Sequence, residues 1–84
     1  MMLDTSEERH AEASAKLMRM AQQIAEFFQS YPEEQAAAGV ARHINRYWTP
    51  LMREEFLAAA RGKEDLLPLL KAATNSIKRS SNKN

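Results

Sequence analysis

Apolar residues recur at helical spacing along most of this 84-residue chain, and no segment alternates apolar and polar residues as a half-buried strand does. In the first third, the residues that share one helix face are Leu17, Met20, Ala21, Ile24 and Phe28. Met18 and Ala25 fall about a quarter turn away, so the apolar arc is wider than one helix contact needs. Thr5 and Glu8 have capping-box spacing. The pattern predicts one long helix from there to about Ser30.

Prolines mark the boundaries of the later elements. Pro32 is expected to end the first helix and to open a second, whose positive N-terminal end suits Glu33 and Glu34. The predicted core face of this second helix consists of Ala36, Val40, Ile44 and Tyr47. Thr49 has the side chain of an N-cap, and Pro50 fits the first position of a third helix.

The third and fourth helices are predicted to be shorter. The apolar positions of the third are Met52, Phe56, Ala59 and Ala60, and Gly62 suits the C′ position that ends it. Asp65 is expected to cap a last helix, with Pro68 tolerated in its first turn. The apolar face of that helix consists of Leu66, Leu70, Ala73 and Ile77. The sequence thus predicts an all-α protein, a small bundle of about four helices.

Charge divides the chain into three segments. Residues 1–15 carry four acids and one Arg, residues 78–84 carry three bases and no acid, and residues 16–77 are close to neutral. The first segment is expected to be an acidic N-terminal extension of the first helix, and the last a disordered basic tail. A helical domain is predicted at 16–77. Since the net charge of +1 comes from the tail, a broad nucleic-acid surface is disfavoured.

Composition argues against several functional classes. The chain has no Cys, and its two histidines, His10 and His43, are far apart without an H-E-x-x-H pattern. We therefore assign no catalytic residue and no metal ligand. No apolar run approaches the ~20 residues that span a bilayer, and the N-terminus lacks the apolar run of a signal peptide. The expectation is a cytoplasmic protein that is not an enzyme.

Most polar candidates for a partner contact lie at or next to residues 40–53, and Arg19 lies in the first helix. A glycine within a helix costs ~1 kcal/mol relative to Ala, so a close approach by another element is expected at Gly39, either from this chain or from a partner. For His43, the alternative to a partner contact is a hydrogen bond to a neighbouring residue on the surface of its own helix. The predicted polar contact residues are Arg19, Gly39, Arg42, His43, Arg46 and Arg53.

Met18, Phe27 and Trp48 are the apolar candidates. Methionine and phenylalanine are most simply core residues, but four helices of this size cannot bury all of them. The expectation is a protein that completes its core by docking on a larger one. Alternatively, Trp48 lies wholly in the core of this chain, where two helices meet.

Two other functions stay open from the residues alone. A helix–corner–helix unit with Arg on its second helix is typical of small nucleic-acid-binding regulators, although Glu33, Glu54 and Glu55 interleave with the bases here. A self-associating helical protein is the third possibility.

Two motifs in this chain resemble one family. K-L-M-R-M-A-Q-Q-I-A at 16–25, followed by Phe27-Phe28, and H-I-N-R-Y-W-T-P-L-M-R at 43–53 are similar to the delta subunit of soluble NAD-dependent, molybdenum-containing formate dehydrogenases. The resemblance covers about residues 16–70. The family often has Asp at the position of Thr49 and Asn at that of Gln22.

The resemblance implies a small accessory subunit without catalytic residues or cofactors of its own. Its partners would be the catalytic alpha subunit, with beta and gamma subunits, in a cytoplasmic complex. That complex carries bis-molybdopterin guanine dinucleotide, iron–sulfur clusters, FMN and NAD. Such a subunit is expected to support assembly, stability or molybdenum-cofactor insertion.

Overall fold

The computed structural model of the protein describes residues 5–78, with side chains from residue 12 onwards. This part of the chain contains no strand and four helices, namely α1 (Thr5–Phe28), α2 (Glu33–Tyr47), α3 (Pro50–Arg61) and α4 (Pro68–Thr74). The all-α class and the order of one long and three shorter helices are confirmed. The proposed capping box, most side chains of the acidic extension and the tail from residue 79 lie outside the described side chains, and stay predictions.

The corner between α2 and α3 follows the sequence prediction. Trp48 and Thr49 have extended backbones after the last residue of α2, and Pro50 is the first residue of α3. The Thr49 Oγ1 accepts a hydrogen bond from the backbone N–H of Met52 at 3.1 Å. This bond satisfies one of the N–H groups that a helix leaves without a partner in its first turn. The cap and the proline together fix where α3 begins.

The connection from α3 to α4 differs from the prediction in two respects. Gly62 ends α3, but with a φ of −92° it does not use the left-handed conformation that favours glycine. Asp65 does not cap α4. Its carboxylate lies 3.2 Å from the Lys63 ammonium, whose hydrogen bond and charge lower the pKa of Asp65. Helix α4 begins at Pro68, three residues after Asp65, because the proline holds the preceding Leu67 extended, at φ −52° and ψ 135°.

The core forms where α1 contacts the other three helices and where α2 packs against α4. The largest fully buried side chains are Phe56, Ile44, Leu70 and Val40. Since α1 has neighbours on more than one side, its buried surface extends beyond the predicted face. Its buried residues are Leu17, Met18, Ala21 and Ala25, whereas Met20, Ile24 and Phe28 are only half-buried. The predicted face of α1 is therefore rotated, and part of it lies at the protein surface.

Tyr47 and Trp48 exchange the roles that helical spacing predicts. Tyr47 was expected in the core but is 65% exposed, whereas Trp48 is only 5% exposed. The Trp48 ring contacts Phe56 edge to face, with ring centroids 5.7 Å apart. Because α2 ends at Tyr47, the extended backbone of Trp48 directs its side chain away from the helical series and into the core.

Gly39 brings α1 and α2 close together. A Cβ atom at this position would lie 2.5 Å from Cε1 and 2.7 Å from Cδ1 of Phe28. The aromatic ring therefore occupies the space that any side chain would need. Of the two explanations left open by the sequence, the close approach from within the chain is the one that the structure contains.

Candidate protein-docking site

Two side chains of the 43–53 motif hold the segment that follows α4. The Asn45 amide donates to the Ser76 carbonyl at 3.0 Å and accepts from the Lys78 N–H at 2.8 Å. Arg53 donates to the Trp48 carbonyl at 2.9 Å and to the Lys78 carbonyl at 3.0 Å. These bonds join the α2–α3 corner to the end of the fold. They make Asn45 and Arg53 structural residues, although only Arg53 was singled out in the sequence, and for a partner contact.

A groove of about 530 Å³ lies between α1 and α2. The residues that line this α1–α2 groove are Met20, Gln23, Ile24, Phe27, Phe28, His43 and Trp48. Phe28 forms part of it because its ring rests on Gly39, and Trp48 contributes although it is almost wholly buried. Most of these side chains are apolar, so contact with water is unfavourable and a partner side chain would be stabilised there by burial.

Exposed aromatic side chains continue the groove on both sides. Phe27 is 71% exposed and meets Phe28 edge to face, with centroids 5.0 Å apart. The exposed Tyr31 ring lies 5.7 Å from Phe28. On α2, the centroids of His43 and Tyr47 are 4.9 Å apart. They form two groups of rings, one at the end of α1 and one on α2.

His43 lines the groove on its α2 side, and two arginines of α2 lie near it in sequence. Arg42, His43 and Arg46 are exposed, and they define an α2 basic edge. The Arg46 guanidinium lies 5.7 Å from the centre of the Tyr47 ring, within cation–π distance. Arg42 and Arg46 also line a neighbouring cavity of about 450 Å³ beside Asn45, Ser76 and Lys78. Within the described residues neither arginine has an ion pair.

The structure brings only part of the predicted contact set to this surface. Phe27 and His43 line the groove, and Arg46 lies beside it. Arg19 is exposed one helical turn before Gln23, at the edge of the groove. Trp48 also lines the groove, although it is buried. The remaining candidates are Met18, which is buried in the core, Gly39 under Phe28, Arg53 bonded within the chain, and Arg42 in the adjacent cavity.

Four residues of this surface were assigned differently from the sequence. Met20, Ile24 and Phe28 are on the predicted core face of α1, and Tyr47 is on that of α2. The available signal was the width of the apolar arc on α1, which exceeded the needs of one helix contact. A periodic pattern cannot show which margin of a wide arc stays uncovered, since that depends on where the neighbouring helices cross.

Two features are absent from the part of the chain that the structure describes. No group of three or more His, Asp or Glu among them could hold a metal ion. None of the described helices is both long enough and apolar enough to cross a membrane. Aromatic rings, methionine and arginine on an exposed apolar groove are instead the side chains that protein interfaces favour. The fold and its site define a small helical protein with an exposed apolar groove of the composition that protein interfaces favour.

Comparison with protein families identifies the particular group. The family described as the NADH-dependent formate dehydrogenase delta subunit, FdsD, matches residues 16–74 of this chain. Because the match covers most of the chain, the protein belongs to this family. The matched range includes every residue that lines the α1–α2 groove and both sequence motifs, at 16–28 and 43–53. No curated protein and no solved structure gave a match.

Proposed function

We propose that this chain is a non-catalytic accessory subunit that binds the catalytic alpha subunit of an NAD-dependent formate dehydrogenase in the cytoplasm. The exposed α1–α2 groove is the observation that carries the proposal. A chain of 84 residues that leaves Phe27 and Tyr47 largely in water has a surface that a partner can cover. Membership of the delta-subunit family supports a formate dehydrogenase complex as the source of that partner.

The supporting role would be assembly, stability or insertion of the molybdenum cofactor. Molybdenum cofactor, iron–sulfur clusters, FMN and NAD would all be bound by the other subunits, including beta and gamma. The surface of this chain fits such a role because it offers apolar and cationic contacts and no cluster of metal ligands among the described residues. Burial of the groove would stabilise the complex by removing apolar side chains from water.

A tagged copy of the chain, expressed with the other subunits, tests the partner. We expect the catalytic subunit to co-elute with formate-dependent reduction of NAD. A chain recovered without that subunit would contradict the proposal.

Removal of the chain from the same cells separates the three roles. A reduced amount of catalytic subunit would indicate assembly or stability. A normal amount of catalytic subunit with a low molybdenum content would indicate cofactor insertion. Unchanged protein, molybdenum and activity would contradict an accessory function of any kind.

A further inference from the structure

We infer that the α1–α2 groove binds a segment of the catalytic subunit in which apolar side chains stand next to acidic residues. The segment belongs to the partner named in the proposed function, so this inference rests on that proposal. The segment would place its apolar side chains between Phe27 and His43, and its carboxylates against the α2 basic edge.

The groove is shaped by contacts within the fold. Phe28 lies on Gly39 so closely that no Cβ fits between them, and α2 carries a glycine in its interior for this contact. The indole of Trp48 is held by Phe56 from below, with ring planes at 87°. The base of the groove is thus fixed by the core, whereas Phe27 and Tyr47 at its sides are free to adjust to an occupant. A preformed base lowers the ordering cost of binding.

The side chains at the groove are those that contribute most to binding energy in protein interfaces. Tryptophan, tyrosine and arginine dominate such contacts, and methionine adapts to irregular partners. Here Trp48, Tyr47, Arg46 and Met20 lie within or beside one groove. An apolar anchor entering between the two helices would therefore be enclosed by rings on both sides.

Charge decides between the possible occupants. Neither the groove nor the adjacent cavity is lined by an acidic residue among the described side chains, whereas His43 lines the groove and Arg42 and Arg46 line the adjacent cavity. On the α1 side, Arg19 and Glu26 are both exposed, so that margin has mixed charge. A second copy of this chain would bring the same arginines towards each other, which is unfavourable. An acidic partner segment matches the basic edge.

Photo-crosslinking within the native complex tests this occupant directly. p-Benzoylphenylalanine replaces Tyr47, whose ring is exposed and resembles the probe in shape. The matched control carries the probe at Leu67, which is 43% exposed and precedes α4. We expect the Tyr47 probe to capture a peptide of the catalytic subunit that contains apolar and acidic residues, and the Leu67 probe not to capture it.

Charge reversal tests the basic edge independently. The double variant Arg42→Glu/Arg46→Glu is expected to lower recovery of the catalytic subunit about tenfold or more, because like charges would face the segment. The double variant Arg61→Glu/Lys71→Glu changes the net charge equally at two other exposed positions, and recovery should stay within about twofold. Circular dichroism verifies that both variants fold.

The outcomes separate this inference from the proposed function. Capture of a second copy, of nucleic acid or of a segment without acidic residues would overturn the groove assignment. Equal recovery with both charge-reversal variants would do so as well. If the unmodified chain still retains the catalytic subunit in those cases, the accessory function survives. If the unmodified chain retains no catalytic subunit, both proposals fail.

Discussion

The same eleven-residue stretch, 43–53, has an inward side and an outward side that differ in almost every contact. Asn45, Trp48 and Arg53 are bonded or packed within the chain. His43 and Tyr47 belong to the same stretch, yet they are exposed, their rings contact each other, and Arg46 lies over the Tyr47 ring. The inward side closes the fold around the end of α4. The outward side presents rings and positive charge to solvent.

The difference shows that a family motif need not be a single functional site. In a helix, residues three and four positions apart lie on one face, so adjacent residues of the motif point in different directions. A resemblance covers the residues of both sides together because it compares sequence positions and not the faces on which they lie. Substitutions should therefore separate into those that lower stability and those that lower binding.

Trp48→Ala is expected to have the largest effect. The indole is 5% exposed and packs on Phe56, so its truncation should lower the free energy of unfolding by ~3–5 kcal/mol. That loss is comparable to the whole stability of a domain of this size. Urea unfolding followed by circular dichroism measures it, and the variant should be largely unfolded without denaturant.

Phe27→Ala is the matched control on the outward side. Its ring is 71% exposed, so its removal should leave the urea midpoint nearly unchanged while lowering recovery of the partner. A Trp48→Ala protein that stays folded but loses its partner would show that Trp48 belongs to the binding surface and not to the core.

Asn45→Ala should cost less, by ~1–2 kcal/mol, because two hydrogen bonds are lost and the groups they leave can bind water. Asn45→Asp is a sharper comparison. The carboxylate still accepts from the Lys78 N–H but cannot donate to the Ser76 carbonyl, so its loss should be intermediate. Equal stability of all three proteins in urea unfolding would mean that the segment after α4 is not held by this side chain.

Gly39→Ala sets two effects against each other. Alanine favours the helix by ~1 kcal/mol, but its Cβ must displace the Phe28 ring, and overpacking typically costs ~1–3 kcal/mol. A net loss of ~1 kcal/mol is expected in thermal unfolding, together with weaker partner binding because the groove changes shape. Gly62→Ala is the control, since the nearest atom lies 4.0 Å from its Cβ position, and it should be neutral or stabilising by up to ~1 kcal/mol. A stabilised Gly39→Ala protein would refute the close contact with Phe28.

Local rules explain which parts of this structure could be read from the sequence. Pro32, Pro50 and the Thr49 cap act on adjacent backbone, so the helix boundaries near them were predictable. The start of α4 was misplaced because the restriction that Pro68 imposes on Leu67 outweighs the capping tendency of Asp65. The groove could not be located, since it depends on the rotation of α1 between several neighbours. The role of Asn45 depends on residues 76–78, which lie far along the chain.

Substitutions of Thr49 are expected to have small effects on stability, and they test whether the α2–α3 corner contributes to folding alone or also to partner binding. Thr49→Ala removes the bond to the Met52 N–H and should lower the free energy of unfolding by ~1 kcal/mol. Thr49→Asp, the residue that the family often has there, keeps an acceptor at the N-terminus of α3 and should preserve or slightly raise stability. The position is exposed and lines neither the groove nor the adjacent cavity, so both variants should bind the partner normally once folded. If Thr49→Asp changes partner binding at unchanged stability, the interface extends past the groove to the α2–α3 corner.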